Sequence, residues 1–384
     1  MKHYDVAVIG AGVFGACCAW RLRHAGCSVL LVDAWSPGHS LSSSGGESRI
    51  IRMGYGADEI YTRMSVRSLE TWRDLAARTG QPLFHRTGVL WIARQDDPYS
   101  SATCRTLQSA GVPMEILAAG ELAARYPQMR LPDPRAYGIF EPESGALMAR
   151  RAVAAVVDDA LRHGVEFAAA AVQPPTRQSR QAAVRTLPGE ELHAGIFVFA
   201  CGPWLPKLFP ALLANRIRAT RQEVFFFAPP PGDGRFLPPD LPVWIDFSDP
   251  RGPYGFPSLD GRGFKLAFDR HGPAIDPDTA DRRISEEGVA EARRFLAERF
   301  PALRGAPLAE SRVCQYECTS SGDFLIDRHP DFDNLWLAGG GSGHGFKHGP
   351  AVGEYAAARI LAGKEEEPRF SLATMEEAPR RAVY

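Results

Sequence analysis

A hexapeptide of the form G-x-G-x-x-G, Gly10-Ala11-Gly12-Val13-Phe14-Gly15, follows the β-rich run Tyr4 to Ile9 and opens a helical pattern from Val13 to His24. Its three glycines have separate tasks. Gly10 permits a tight turn, Gly12 lets the backbone approach a pyrophosphate, and Gly15 lets helix and strand pack closely. The helix N-terminus offers free N–H groups and a partial positive charge to phosphates. Asp33 closes a second apolar run, Cys27 to Asp33, roughly 20 residues on, where a carboxylate accepts hydrogen bonds from an adenosine ribose. Strand, helix, strand and acid together define a dinucleotide site. The motif alone does not separate FAD from NAD.

The seven cysteines are Cys17, Cys18, Cys27, Cys104, Cys201, Cys314 and Cys318. Their odd count and scatter give neither a disulfide framework nor a common zinc spacing, so no metal is expected. Lys and Arg total 44 against 45 Asp and Glu, a formal net charge of -1. That balance lacks the clustered basic excess that holds a nucleic acid. No run approaches the roughly 18–20 apolar residues needed to span a bilayer. The first apolar stretch runs straight into glycines and is no secretory signal. Cytosol is the expected location, with neither membrane nor nucleic acid as partner.

A length of 384 residues implies one large or two interleaved domains. After the opening βαβ unit come a Gly/Ser-rich loop from Pro37 to Glu47 and a helical stretch from about Ala57 to Arg78. Residues 151–163 form an amphipathic helix stopped by Gly164, and Ile196 to Ala200 a strand leading into Gly202-Pro203-Trp204. From about 216 to 310 the chain is rich in Pro, Gly and aromatics. Strands such as Glu223 to Phe227 and Phe264 to Phe268 and a helix near Glu286 to Arg299 point there to an antiparallel sheet. Asn334 to Ala338 is a further strand, Gly339 to Gly345 a glycine-rich turn, and Pro350 to Ala362 a helix. The expected fold is α/β (α+β overall): a discontinuous Rossmann-type nucleotide domain of residues 1–80, 146–215 and 311–384, with an interleaved antiparallel-sheet substrate domain of residues 81–145 and 216–310.

Three further stretches carry a family resemblance. They are Gly46-Glu47-Ser48-Arg49-Ile50-Ile51-Arg52, Tyr254-Gly255-Phe256-Pro257 with Lys265, and Cys314-Gln315-Tyr316 with Ser342-Gly343-His344-Gly345-Phe346-Lys347. In order and spacing the chain resembles the monomeric sarcosine oxidase and N-methyltryptophan oxidase family, within the D-amino-acid-oxidase-like flavoproteins, from Tyr4 to about Leu361. The resemblance implies FAD, bonded through Cys314 to the flavin 8α-methyl carbon, with Ser48, Gly343 and Phe346 beside it and Val172 an adenine-contacting backbone position. It implies that Arg52 and Lys347 grip a substrate carboxylate and that Arg49 steadies the reduced, anionic ring. Tyr254 and Tyr316 would line the pocket, and Lys265 would hold a water at the flavin and assist reduction of oxygen. Without the resemblance, Cys314 reads as a buried inert thiol and Arg52 as a surface helix charge. Lys265 then reads as a strand-end cap and the tyrosines as packing aromatics.

The sequence departs from that family at two places. A histidine pair often precedes the Gly-acid-Ser/Thr-Arg stretch, and Ser44 and Gly45 stand there instead. A histidine four residues past the lysine is Asp269, which reads either as an acid favouring a cationic amine or as a solvated strand-end carboxylate. The expected enzyme is a monomeric FAD-dependent oxidoreductase acting on CH–NH bonds. It would oxidise a small secondary or cyclic amino acid (sarcosine, an N-methyl amino acid or pipecolate-like) with molecular oxygen, giving imine and hydrogen peroxide. A flavin dehydrogenase with another electron acceptor, an RNA-modifying flavoprotein and a non-enzymatic binding protein stay open as alternatives.

Overall fold

Tyr4–Ile9, Val29–Asp33 and Leu335–Gly339 are short, mostly buried apolar runs, the composition of strands covered on both faces. They belong to a six-stranded sheet ordered 325–328, 335–339, 194–199, 4–9, 29–33, 166–169. Every pairing is parallel except the edge pair Leu325–Arg328 with Leu335–Gly339. The structure is a computed structural model describing residues 2–131, 133–363 and 367–375. The end of the expected nucleotide-binding portion, residues 376–384, lies outside the described residues, as do 1, 132 and 364–366.

The helix Val13–His24 has the expected bounds, carries the fully buried Cys17 and Cys18, and packs against Ala149–Arg162 and Gly349–Ala362. The helix Glu59–Thr79 also packs on Gly349–Ala362 and ends at Gly80, which takes the left-handed conformation (φ 64°) that stops a helix.

An eight-stranded sheet forms the second layer, ordered 308–319, 217–227, 264–268, 253–256, 243–246, 89–94, 136–141, 115–117. It is antiparallel except where Val243–Asp246 runs parallel to Val89–Arg94. The expected strand at Glu223 starts earlier, at Ile217, and pairs along its length with Leu308–Thr319. The expected domain boundary at 310/311 therefore falls inside a strand of this sheet. A small three-stranded sheet, 48–51, 145–148 and 84–85, brings Ser48 and Arg49 between the two layers.

The glycine motif separates fold from binding. A Cβ on Gly15 would stand 1.8 Å from the carbonyl oxygen of Gly10, so this position is closed by backbone. A Cβ on Gly12 would find nothing nearer than Ser44 Oγ at 3.5 Å, and its φ of -71° suits any residue. Gly15→Ala is therefore expected to destabilise the apoprotein by about 1–3 kcal/mol in urea unfolding. Gly12→Ala is expected to leave that stability unchanged while abolishing dinucleotide binding. Equal unfolding midpoints for the two variants would contradict this assignment.

Candidate active site

One cavity of about 470 Å³ joins the glycine turn to Cys314. Its walls include Gly10, Gly12, Asp33, Ser44, Arg49, Val172, Cys314, Tyr316, Gly343 and Phe346, residues drawn from both large sheets and the segments between them. Asp33 is fixed by the turn it serves: Oδ2 accepts from Ala11 N at 2.7 Å and Oδ1 from Trp35 N at 2.9 Å. A carboxylate has about four lone-pair sites, so capacity for a ribose hydroxyl remains. Ser44, where the resembled family often has histidine, accepts from Val13 N at 3.0 Å and so caps the first turn of the dinucleotide helix. A glycine turn open at Gly12, an acid at the second strand end and a thiol on the same cavity wall fit a flavin dinucleotide.

Around Cys314 the charge is mostly positive. Its Sγ, in a residue 7% exposed, lies 3.6 Å from Arg49 Nη2. Lys265 is buried, and its Nζ donates to Ser48 O at 2.9 Å and Ser48 Oγ at 3.1 Å. Desolvation, then the nearby Arg49 guanidinium, holds that ammonium well below the usual lysine range. Burial likewise lowers Arg312. Beside Lys265 is a gap of about 10 Å³, close to the room one water needs, walled in part by Ser48, Phe226 and Phe256. Cys201 is the other thiol on the large cavity, and burial and Asp33 push it up, as burial pushes Cys318 to about 12.

Arg52 is buried, not a surface helix charge. Its Cζ stands 4.3 Å from the Tyr55 ring centre and 4.7 Å from that of Trp91, and Nη1 donates to Gly54 O. Glu141 braces this arrangement. Fully buried, it accepts from Met53 N (2.7 Å), Gly54 N (3.1 Å), Trp91 Nε1 (2.7 Å) and Ser144 Oγ (2.6 Å). Lys347 Nζ donates to His344 O at 3.0 Å and lies 5.0 Å from the same Tyr55 ring. Desolvation, then Arg52, holds Lys347 well below its ordinary value. Among the described residues, neither Arg52 nor Lys347 forms an ion pair.

Tyr316 Oη donates to Asp269 Oδ1 at 2.9 Å, and Tyr316 also hydrogen-bonds Tyr254. Desolvation, then Asp269, lifts Tyr254 to about 12; desolvation, then Tyr254, lifts Tyr316 well above the usual phenol range. Asp269 is therefore engaged within the site, not merely solvated at a strand end. Gly343 makes room for this group, since a Cβ there (φ +83°) would stand 2.8 Å from the Tyr316 ring. Phe346, on the cavity wall, stacks on Trp72 at 6.1 Å and 4°.

Most of the residues singled out from sequence thus converge. Arg52, Lys347, Lys265, Ser48, Tyr254 and Asp269 are not on the wall of the large cavity, and Gly15 packs behind it. Sequence reasoning missed Tyr55, Trp91 and Glu141, which set the direction of Arg52. Tyr55 had one local signal, an aromatic three residues past an arginine; Glu141 had none.

A Rossmann-type nucleotide fold fused to a sheet that carries buried cations defines a flavin-dependent oxidoreductase. The chain belongs to the FAD dependent oxidoreductase family, which it matches over residues 5–359. It is 33% identical over 375 residues to a monomeric sarcosine oxidase of Bacillus sp. (strain B-0618), covering 95% of this chain and 94% of that one. It is 31% identical over 377 residues to an N-methyl-L-tryptophan oxidase of Salmonella arizonae, covering 96% and 97%. In fold it is similar to the L-proline dehydrogenase of P. horikoshii, with a TM-score of 0.83, 22% identity and 97% of each chain covered. No helix among the described residues is long and apolar enough to cross a membrane.

The two lowered lysines give a pH test. A lysine whose folded value lies below its unfolded value of 10.5 makes the unfolded state bind more protons, so stability rises with pH between the two values. Flavin-free protein is expected to gain stability as pH rises toward about 10, by at most about 1.4 kcal/mol per pH unit for each lysine. Above about pH 10 the raised tyrosines reverse the slope, because only the unfolded state loses their protons. Lys347→Met should flatten the rise in urea unfolding; an unchanged slope would contradict the assignment.

Proposed function

We propose that the protein oxidises the carbon–nitrogen bond of a small secondary or cyclic amino acid, of the N-methyl or pipecolate-like class, to an imine with release of hydrogen peroxide. The observation that carries this reading is the pair of buried basic side chains, Arg52 and Lys347, each lying over the Tyr55 ring without an ion-pair partner among the described residues. A guanidinium fork and an ammonium converging on one carboxylate both neutralise and orient it. The relatives named above act, by their names, on sarcosine and N-methyl-L-tryptophan, both secondary amino acids.

FAD, when bound, would supply the two-electron acceptor and the redox chemistry by which oxygen is reduced. Gly10, Gly12, Asp33 and Val172 would hold its adenosine and pyrophosphate part, and Ser48, Arg49, Gly343 and Phe346 its flavin part. Cys314, on the cavity wall, would carry it through a thioether to the 8α carbon. Arg49 and Lys265 place positive charge where electron density collects, and Ser48 fixes the Lys265 ammonium. Asp269, held by Tyr316, favours a cationic amine and disfavours a second acid on the substrate. The name of the first relative supports a monomer, and we place the enzyme in the cytosol.

Purified protein given a panel of N-methyl and cyclic amino acids should release hydrogen peroxide with at least one of them; turnover only with an artificial electron acceptor would favour a dehydrogenase. Lys265→Met is expected to slow oxygen-dependent reoxidation by about a hundredfold or more while flavin reduction by substrate continues. Unchanged reoxidation in stopped flow would refute that role. The yellow pigment should stay with acid-precipitated protein and be released from Cys314→Ala. Release from both would remove the covalent bond from the proposal.

A further inference from the structure

Glu317 is a buried acid that none of the roles above uses. It follows Tyr316 on the strand Leu308–Thr319 and is 7% exposed on the wall of the large cavity. Among the described residues its Oε1 is buried without a hydrogen-bond partner. Gly339 makes room for the carboxyl: a Cβ there would stand 2.5 Å from Oε1. Burial pushes the acid up to about 7, against the opposing pull of the peptide N–H groups of Gly340 and Gly341. A buried polar oxygen without a partner is costly and rare unless a ligand completes it.

We infer that Glu317 is a cofactor-positioning residue whose carboxyl accepts a hydrogen bond from a hydroxyl of the ribityl chain of FAD. This rests on the reading of the cavity as the FAD site. The choice of group follows from charge and place. A carboxylate repels a pyrophosphate, so its partner is a neutral donor, and the sugar-like hydroxyls of the dinucleotide are such donors. Asp33 serves the adenosine side. Glu317 stands three residues from Cys314, about 10 Å along an extended strand, on the wall of the same cavity.

The test uses the full chain carrying Cys314→Ala, which keeps binding reversible, and reads affinity by quenching of flavin fluorescence. FAD is compared with an analogue whose ribityl chain is an unsubstituted pentyl chain, and with one lacking the adenosine ribose 2′-hydroxyl. Glu317→Ala is expected to weaken FAD about tenfold or more, the worth of one charge-assisted hydrogen bond. Glu317→Gln, of the same shape, should weaken it several-fold and stands in if the alanine variant does not fold. The pentyl analogue should bind with and without the carboxyl equally, and the deoxyribose analogue should keep the full dependence. No loss in either variant, or equal losses for FAD and the pentyl analogue, would overturn the inference. Disappearance of the effect with the deoxyribose analogue would overturn the ribityl assignment. Failure of the chain with Glu317 intact to bind FAD would strike the FAD reading instead.

Discussion

Two basic side chains held in the interior without an ion pair among the described residues set the logic of this protein. Burying an ammonium or guanidinium costs several kcal/mol unless another charge or hydrogen bonds replace the lost water. Arg52 is compensated by two aromatic faces and a peptide carbonyl, Lys347 by a peptide carbonyl and the Tyr55 ring. The one fully buried acid close by, Glu141, is saturated by two peptide N–H groups, an indole and a hydroxyl. It braces the surrounding backbone and the Trp91 ring and forms no ion pair with Arg52.

The two sheets divide the remaining work. The parallel sheet presents the glycine turn and Asp33 at the carboxyl ends of its strands, where nucleotides bind in such folds. The eight-stranded sheet contributes Tyr254, Lys265, Cys314 and Tyr316 from three of its strands. Strand pairing fixes those side chains relative to one another: Val224, on Ile217–Phe227, is opposite both Arg312 and Ala267, so the strands bearing Cys314 and Lys265 share one central neighbour. The long pairing of 217–227 with 308–319 makes the framework stiff around Cys314 and Tyr316.

Local patterns in the sequence were enough for the opening βαβ unit, because glycine spacing, apolar runs and the strand-end acid all lie within a few turns of chain. The bounds of Val13–His24 and Glu286–Arg299 follow from such patterns as well. Strands of the larger sheet were harder to read. Arg218, Thr220 and Gln222 interrupt the apolar run of Ile217–Phe227, and the polar Glu310, Ser311 and Arg312 hide Leu308–Thr319 altogether. The cationic residues of the site carried a signal through their resemblance to a family. The side chains that aim them did not, since Glu141 and Trp91 reach Arg52 only through tertiary packing. Ser44 illustrates the converse: a departure from the resembled pattern turns out to cap the dinucleotide helix.

The carboxylate requirement is tested most directly by steady-state oxidation of an N-methyl amino acid against its primary amide, which keeps the amine and loses only the anion. The acid should be favoured by about a hundredfold or more in kcat/KM, as one or two charge-assisted contacts imply. Arg52→Met and Lys347→Met should each erode that preference through the acid alone. If the unaltered enzyme oxidises amide and acid equally well, the buried cations do not serve the substrate.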